Sequence, residues 1–281
     1  MRVFTTVNQL QLFLSERRSK RKSIAFVPTL GALHRGHLEL MAHGKDRADI
    51  VVASIFVNPS QFNEVKDLEK YPRPLAHDIH LLCTNAVDVL FLPPEGEIYP
   101  ENMVIESPVD ISELASVMEG PRRPGHFEGV VTVVKRLLDI VQPDFLIMGQ
   151  KDYQQQAIVG MMIRKLEIPT KLIVHPTERD ADGLALSSRN ARIEEAMRPR
   201  ANTLFLTLRH ALDLMQTHSP EEIIRKCSEM IKNQGFRLEY FSIVDGETLQ
   251  SVRTWADHHS VVACVAAWLG DVRLIDNLPL K

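Results

Sequence analysis

Apolar positions along the chain follow two alternating spacings. The runs Ile24 to Val27, Ile50 to Val57, Val87 to Leu92, Phe145 to Met148 and Lys171 to Val174 are apolar almost throughout and close at Pro, Gly, Asn or His. That is the pattern of parallel strands covered on both faces. Between them, residues 6–18, 74–83, 126–141 and 153–166 show helical spacing, clearest in Val130, Val133, Val134, Leu137, Leu138 and Val141. Strand and helix alternate, which predicts an α/β fold with a doubly wound, Rossmann-like parallel sheet in the N-terminal domain. His175-Pro176 and the polar run Glu178 to Gly183 mark a boundary. Two helical stretches, 194–216 and 219–233, then precede strands near 237–244, 260–269 and 272–277. Residues 1–176 therefore read as the main domain, and residues 177–281 as a smaller α+β C-terminal domain able to cover it as a lid. Residues 95–125, rich in Pro, Glu and Gly, predict an irregular excursion around a short strand near 103–106 and a short helix near 111–117.

A chain of 281 residues with 44% apolar and 25% charged residues can bury a sizeable core. Its net charge of -3 gives no electrostatic case for nucleic acid. The basic run Arg17 to Lys22 abuts the first strand and reads as a solvated helix end, with an anion patch as the alternative. Cys83, Cys227 and Cys264 are far apart and form no C-x-x-C pair, which points to a reducing, cytoplasmic compartment. The longest apolar run, Val261 to Leu269, is too short for a bilayer span of about 20 residues. No nucleic acid or membrane partner is expected.

Candidate chemistry concentrates in Phe26 to Leu40. The strand ends at Pro28, Gly31 allows a tight turn, and His34 and His37 flank Gly36 before a helical pattern begins. On helical backbone the two imidazoles would share one side of the first turn, where exposed N–H groups favour anions. Imidazoles can donate to phosphate oxygens without permanent charge. Two surface histidines beside a turn is the plainer alternative, and zinc is weaker still, because no Cys lies nearby.

The order strand, Pro, Gly turn, His-x-Gly-His, helix resembles the signature of the nucleotidyltransferase superfamily. Further segments narrow the resemblance: V-P-T-L-G-A-L-H-R-G-H (27–37), S-I-F-V-N-P-S-Q-F (54–62), Y-P-R (71–73), R-P-G-H-F-E-G-V (123–130), G-Q-K-D-Y-Q-Q (149–155) and D-G-L-A-L-S-S-R-N (182–190). Together they resemble the pantoate and β-alanine ligases, the pantothenate synthetase family, in the family's order. The resemblance implies ATP-dependent joining of pantoate and β-alanine through a pantoyl adenylate, with ATP and pantoate held by residues 1–176, Mg²⁺ as cofactor, and a cytoplasmic homodimer.

It also implies a residue set. Leu30, Gly31, Ala32, Leu33, His34, Arg35, Gly36 and His37 would line ATP, with His37 as proton donor, together with Gly149, Gln150, Lys151, Asp152, Glu178, Leu186, Ser187, Ser188 and Arg189. Lys151 follows a strand, so an ammonium there can reach phosphate, although a solvated loop lysine reads equally well. His34, His37 and Lys151 are the catalytic candidates. Asp152 reads as a helix cap with some nucleotide contact. Ser187, Ser188 and Arg189 could grip the β and γ phosphates, or form a simple hinge. Gln61 and Gln155 stand where the family uses glutamines for pantoate, Gln61 also near β-alanine; Phe62 could add apolar wall, and Arg123 and His126 could approach from the excursion. Asp78 is the magnesium candidate, against the plainer reading of a solvated helix residue.

Departures from the family's pattern are Leu30 for the more usual Met, Gln150 where Glu is frequent, Glu178 where an apolar residue is frequent, and Ala191-Arg192-Ile193 after Asn190. If position 178 presents backbone to adenine, its carboxylate can turn to solvent; if the side chain packs on the ring, affinity falls. Two rivals remain at this level: a nucleotidyltransferase that joins AMP or CMP to a phosphate substrate, and a catalytically silent ATP-binding scaffold.

Overall fold

A computed structural model describes residues 1–62, 68–69, 71–85, 87–101 and 106–281. Its larger sheet is built from β1 (Arg2–Phe4), β2 (Ile24–Thr29), β3 (Ile50–Ile55), β4 (Val89–Phe91), β5 (Phe145–Gly149) and β6 (Lys171–His175). Among the described residues these six strands run parallel in the order β1-β4-β3-β2-β5-β6. Alternate residues of β2 serve opposite faces, as strand geometry demands. Ile24 and Phe26 join the core containing Leu10 of α1 (Val7–Ser19), Val134 of α4 (His126–Val141) and Ile158 of α5 (Tyr153–Lys165). Ala25 and Val27 join the opposite core with Met41 of α2 (Arg35–Lys45) and Leu82 of α3 (Leu75–Thr84). Helices on both faces make the sheet doubly wound, as the apolar runs predict.

The strand order reverses at β2. From it the chain proceeds to β3 and β4 on one side, and to β5 and β6 on the other. Ligands of open parallel sheets gather outside the carboxyl ends at such a reversal. Here the backbone opens the crevice directly. β2 pairs with β3 from Ile24 through Thr29, but with β5 only at Ala25 and Phe26. Pro28 therefore does not end the strand, contrary to expectation. Ile24 accepts from Asp144 on the β5 side, and residues two apart share that edge, so the N–H that Pro28 lacks falls where pairing has already stopped.

The second sheet comprises β7 (Arg237–Asp245), β8 (Val261–Leu269) and β9 (Val272–Pro279), antiparallel in that order. One face carries α6 (Thr203–Leu214) and α7 (Pro220–Asn233), with Leu208, Ile223 and Ile231 against Ile243 and Val265. Val244, Val262 and Cys264 join the core of the first sheet instead. The smaller unit is thus docked through buried apolar surface.

Three local differences have physical causes. Residues 194–202 are turns around the short 3₁₀ segment Arg198–Arg200, where Pro199 lacks the donor that a continuous helix requires, so the helix begins at Thr203. β1 escapes prediction because its three residues are mostly exposed and gain their order from β4. Of the expected strand near 103–106, residues 103–105 lie outside the described residues. The basic run ends α1 as a solvated terminus, with Arg18 donating to the Val141 carbonyl, Lys20 on Glu16 and Lys22 on Asp49. Among the described residues no helix is long and apolar enough to cross a membrane.

α4 lies directly against the 59–61 turn. A Cβ on Gly129 would stand 2.4 Å from the Ser60 carbonyl oxygen and 2.8 Å from the Gln61 nitrogen, whereas one on Gly96 would meet nothing within 4 Å. Gly129→Ala should therefore lower unfolding free energy by about 1–3 kcal/mol in urea titrations, and Gly96→Ala should change it by less than about 0.5 kcal/mol. Equal effects would contradict this packing.

Candidate functional site

Leaving β2, the chain makes a turn with positive φ at Gly31 (+83°) and Ala32 (+50°). The turn is braced from below. Asp78 on α3, 1% exposed, accepts from Ala32 N at 2.9 Å and Leu33 N at 2.8 Å, one bond per carboxylate oxygen. This corrects the magnesium expectation for Asp78. The group is buried and engaged with backbone, and its evident task is to shape the turn that presents the histidines.

His34 occupies the N-cap of α2 in extended backbone, and His37 lies in the first turn. Their rings stack with centroids 4.1 Å apart at 44°. Backbone N–H of His34 donates to Nδ1 of His37 at 3.3 Å. A neutral imidazole whose Nδ1 accepts carries its proton on Nε2, so His37 is set as a donor through that nitrogen. Desolvation, and then repulsion from Lys151, lowers the His34 pKa to about 4. Desolvation, then His34 and Lys151, lowers that of His37 to about 3. Both rings are neutral at physiological pH. Gly36 makes room for them, since a Cβ there would lie 3.1 Å from the His34 ring.

Across the gap, β5 ends at Gly149 and delivers Gln150, Lys151 and Asp152. Among the described residues the Lys151 ammonium has neither hydrogen bond nor ion pair. Asp152 stands at the N-cap of α5 but makes no side-chain capping bond, so the expected cap is not formed. Desolvation raises its pKa, but Lys151, Arg189 and Arg123 outweigh that and hold it below the usual carboxylate value. Ser187 Oγ accepts from Arg189 N at 3.2 Å and starts the turn Ser188–Arg192. Tyr71 bonds Ser188 through its hydroxyl, and burial raises the phenol pKa. The Glu178 carboxylate turns toward His175 Nε2 at 3.2 Å, while its backbone carbonyl accepts from Leu186 N at 2.9 Å.

On the third side, Gln61 is 8% exposed, and its Oε1 accepts from Asn58 Nδ2 at 3.3 Å, leaving its Nε2 without a protein acceptor among the described residues. His126 donates from Nδ1 to the Gln61 carbonyl at 2.7 Å when neutral. Burial and the nearby Arg123 lower its pKa to about 4, so that neutral form prevails and Nε2 is an acceptor. Gln154 and Gln155 have opposite fates: Gln154 is buried on the Leu114 and Val117 carbonyls, whereas Gln155 has no partner among the described residues. Phe62 packs edge-on to Tyr71 at 5.7 Å. The Arg123 guanidinium has neither hydrogen bond nor ion pair among the described residues.

These groups surround one cavity. It brings together Leu30, His34, Gly36, His37, Gln61, Phe62, Arg123, His126, Gly149, Lys151, Asp152, Gln155, Glu178, Leu186, Ser187, Ser188 and Arg189. Gly31, Ala32, Leu33, Arg35 and Gln150 do not line it; they build the turns that carry the lining. A second cavity, between the two sheets, shares Arg123, His126, Lys151, Asp152, Gln155, Ser187 and Arg189 with the first. Sequence reasoning did not select Asn58 or Tyr71, although both lie in the segments 54–62 and 71–73. A polar or aromatic residue just beyond a buried strand was the available signal.

Paired neutral imidazoles on a helix's first turn, facing the Lys151 ammonium across the reversal of a doubly wound sheet, define the class: an α/β nucleotide-handling enzyme. Comparison with known proteins narrows it. A family model described as pantoate-beta-alanine ligase matches residues 2–279. Pantothenate synthetases of Porphyromonas gingivalis and Azobacteroides pseudotrichonymphae are 42% and 44% identical, each over 99% of both chains. The crystal structure of the Thermus thermophilus pantothenate synthetase superposes with a TM-score of 0.92 at 40% identity, covering 100% of this chain and 99% of that one. The Francisella tularensis pantoate-beta-alanine ligase, complexed with beta-gamma ATP and beta-alanine, gives 0.78 at 36% identity over 100% and 98%. The chain belongs to the pantoate-beta-alanine ligase family.

The depressed imidazole pKa values have a measurable sign. Unfolded histidines take up protons near pH 6.5, whereas His34 and His37 in the fold do so near 4 and 3. Between those values the unfolded chain binds more protons, so stability falls as pH is lowered through that window. Nitrogen-15 spectra of the ligand-free protein should show both rings neutral at pH 5.5, with the His37 proton on Nε2. Titration of either ring near 6.5 would contradict the assignment.

Proposed function

We propose that the cavity at the β2–β5 gap performs both halves of the family's reaction, the ATP-dependent condensation of pantoate with β-alanine. One observation carries this reading: two cations that have no hydrogen-bond or ion-pair partner among the described residues, Lys151 and Arg123, share a cavity with two neutral imidazole donors. Such an arrangement suits a polyanion with a small carboxylate beside it.

In the first step a pantoate carboxylate oxygen attacks the α-phosphorus, a new P–O bond forms, and pyrophosphate leaves with the bond electrons. Charge spreads over phosphate oxygens, so catalysis is positioning and electrostatics. His37 donates through Nε2, and Lys151 supplies a point charge. His34 stacks on His37 and fixes its orientation. Ser187, Ser188 and Arg189 hold the distal phosphates, and Asp152 accepts from the ribose. Gln61 donates to pantoate through Nε2, Gln155 adds a second amide, Arg123 faces its carboxylate, and Phe62 supplies apolar wall. In the second step the neutral amine of β-alanine attacks the acyl carbon, the C–O bond to AMP breaks with its electrons on the phosphate, and the surplus amine proton passes to the departing phosphate. Residues 177–281 act as the lid that keeps water from the mixed anhydride.

Among the described residues no cluster of three His, Cys, Asp or Glu side chains could hold a metal ion. Mg²⁺ therefore fits this chain only as an ion carried mainly by the ATP phosphates, where it neutralises charge. The family resemblance extends the proposal to a homodimer working in the cytoplasm.

Incubation with ATP, pantoate and Mg²⁺ should release pyrophosphate without β-alanine, and β-alanine added later should release AMP. Lys151→Ala should slow the pyrophosphate step about 10²–10³-fold with an unchanged circular dichroism spectrum. Pyrophosphate release that requires β-alanine, or a Lys151→Ala enzyme of normal rate, would refute the mechanism.

A further inference from the structure

Lys151 reaches the cavity from a loop, yet a charge meant to stabilise a transition state must be fixed within a fraction of an ångström. Among the described residues its ammonium forms no hydrogen bond or ion pair, so its position depends on its backbone. Gln150 N donates to the His175 carbonyl at 2.8 Å within the first sheet, and the carbonyls of Gln150 and Lys151 are held from the other sheet. Asn277 on β9, 2% exposed, donates one Nδ2 proton to the Gln150 carbonyl at 3.0 Å and the other to the Lys151 carbonyl at 2.9 Å. Its Oδ1 accepts from Gln150 Nε2 at 3.1 Å. One buried amide thus spends both donors and an acceptor on the two residues that present the ammonium.

Asn277 is itself held. The neighbouring Asp276 forms a two-pronged ion pair with Arg179, at 2.6 and 2.9 Å, and accepts from Asn277 N at 2.8 Å. Arg179 also donates to the Asn277 carbonyl at 3.4 Å and stacks over Phe205 at 4.1 Å. Its own carbonyl accepts from Arg35, the residue between the two histidines in the His-x-Gly-His segment. A chain of polar contacts therefore runs from the histidine bank, through the smaller sheet, to the lysine bank.

We propose that Asn277 is a positioning residue for Lys151, so that docking of the C-terminal sheet and alignment of the ammonium are one event. The inference rests on the reading of Lys151 given above. Asparagine suits the point because two donors and one acceptor are needed there. Aspartate would set negative charge against two carbonyl oxygens, and leucine would leave three polar groups without their partner.

The test is a double-mutant cycle on the full-length protein, read as MgATP affinity by calorimetry and as pantoate-dependent pyrophosphate release. Asn277→Leu should weaken MgATP binding and slow pyrophosphate release by about tenfold or more, with pantoate affinity unchanged within about twofold. In a Lys151→Ala background the same substitution should change MgATP affinity by less than about twofold, because the group it positions is gone. Asn277→Ala and Gln150→Ala, the second cutting the clamp from the less buried side, are carried alongside, with melting curves, in case the leucine variant misfolds. An equal loss in both backgrounds, or a parallel loss of pantoate affinity, overturns the positioning role. A Lys151→Ala protein with wild-type MgATP affinity and rate overturns the reading beneath it instead.

Discussion

The structure depends on one interruption: β2 and β5 pair at Ala25 and Phe26 and then part. A parallel sheet normally satisfies backbone groups by continuing its ladder, and a gap inside it leaves donors and acceptors to be matched some other way. Here proline removes one donor on the open edge, and Thr29 bonds the neighbouring strand and turn, giving to Ser54 O at 2.7 Å and receiving from Gly31 N at 3.2 Å. Asp78 then engages the next two amides. Each of these bonds lies within the protein, so the turn that leads to the histidines is braced by its own side chains. The opposite bank is β5 with Lys151, so the separation of two neighbouring strands sets the separation of the imidazoles from the ammonium.

The electrostatics follow from that geometry. Neutral imidazoles can be held beside an ammonium because desolvation and the ammonium itself both disfavour their protonation. The site therefore holds donors without an excess of cations that would need internal carboxylates. Asp152 is the carboxylate whose ionisation Lys151, Arg189 and Arg123 support. On the proposed reading, a triphosphate entering this cavity would meet oriented dipoles and two cations, Lys151 and Arg123, that have no hydrogen-bond or ion-pair partner among the described residues, so little reorganisation would accompany the chemical step. The excess positive charge near Glu119 is treated differently. Arg273 is held there by bonds of 2.8 Å to both Glu119 oxygens and by Glu239, which ties the smaller sheet to the excursion.

What the sequence disclosed follows the same physics. Strands buried on both faces are apolar without interruption, so β2, β3 and β5 were readable, as was the helix with the apolar stripe from Val130 to Val141. β1 was not, because its order comes from a partner far along the chain. The histidine and lysine segments were legible as motifs at strand ends. Their support was not: a lone Asp78 becomes a turn brace through residues 46 and 45 positions away, and Asn277 meets Lys151 across 126. Tautomers were equally hidden. His37 accepts and His126 donates through the same ring nitrogen, and only their backbone neighbours distinguish them.

A crystal structure of the protein with pantoate and a non-hydrolysable ATP analogue measures the central claim directly. The account predicts one triphosphate bridging the β2–β5 gap, His37 Nε2 and Lys151 Nζ on its oxygens, and a pantoate carboxylate oxygen about 3–3.5 Å from the α-phosphorus in line with the leaving group. A triphosphate bound elsewhere, such as in the cavity beside Phe205 and Trp268, with His37 and Lys151 left untouched, would contradict it.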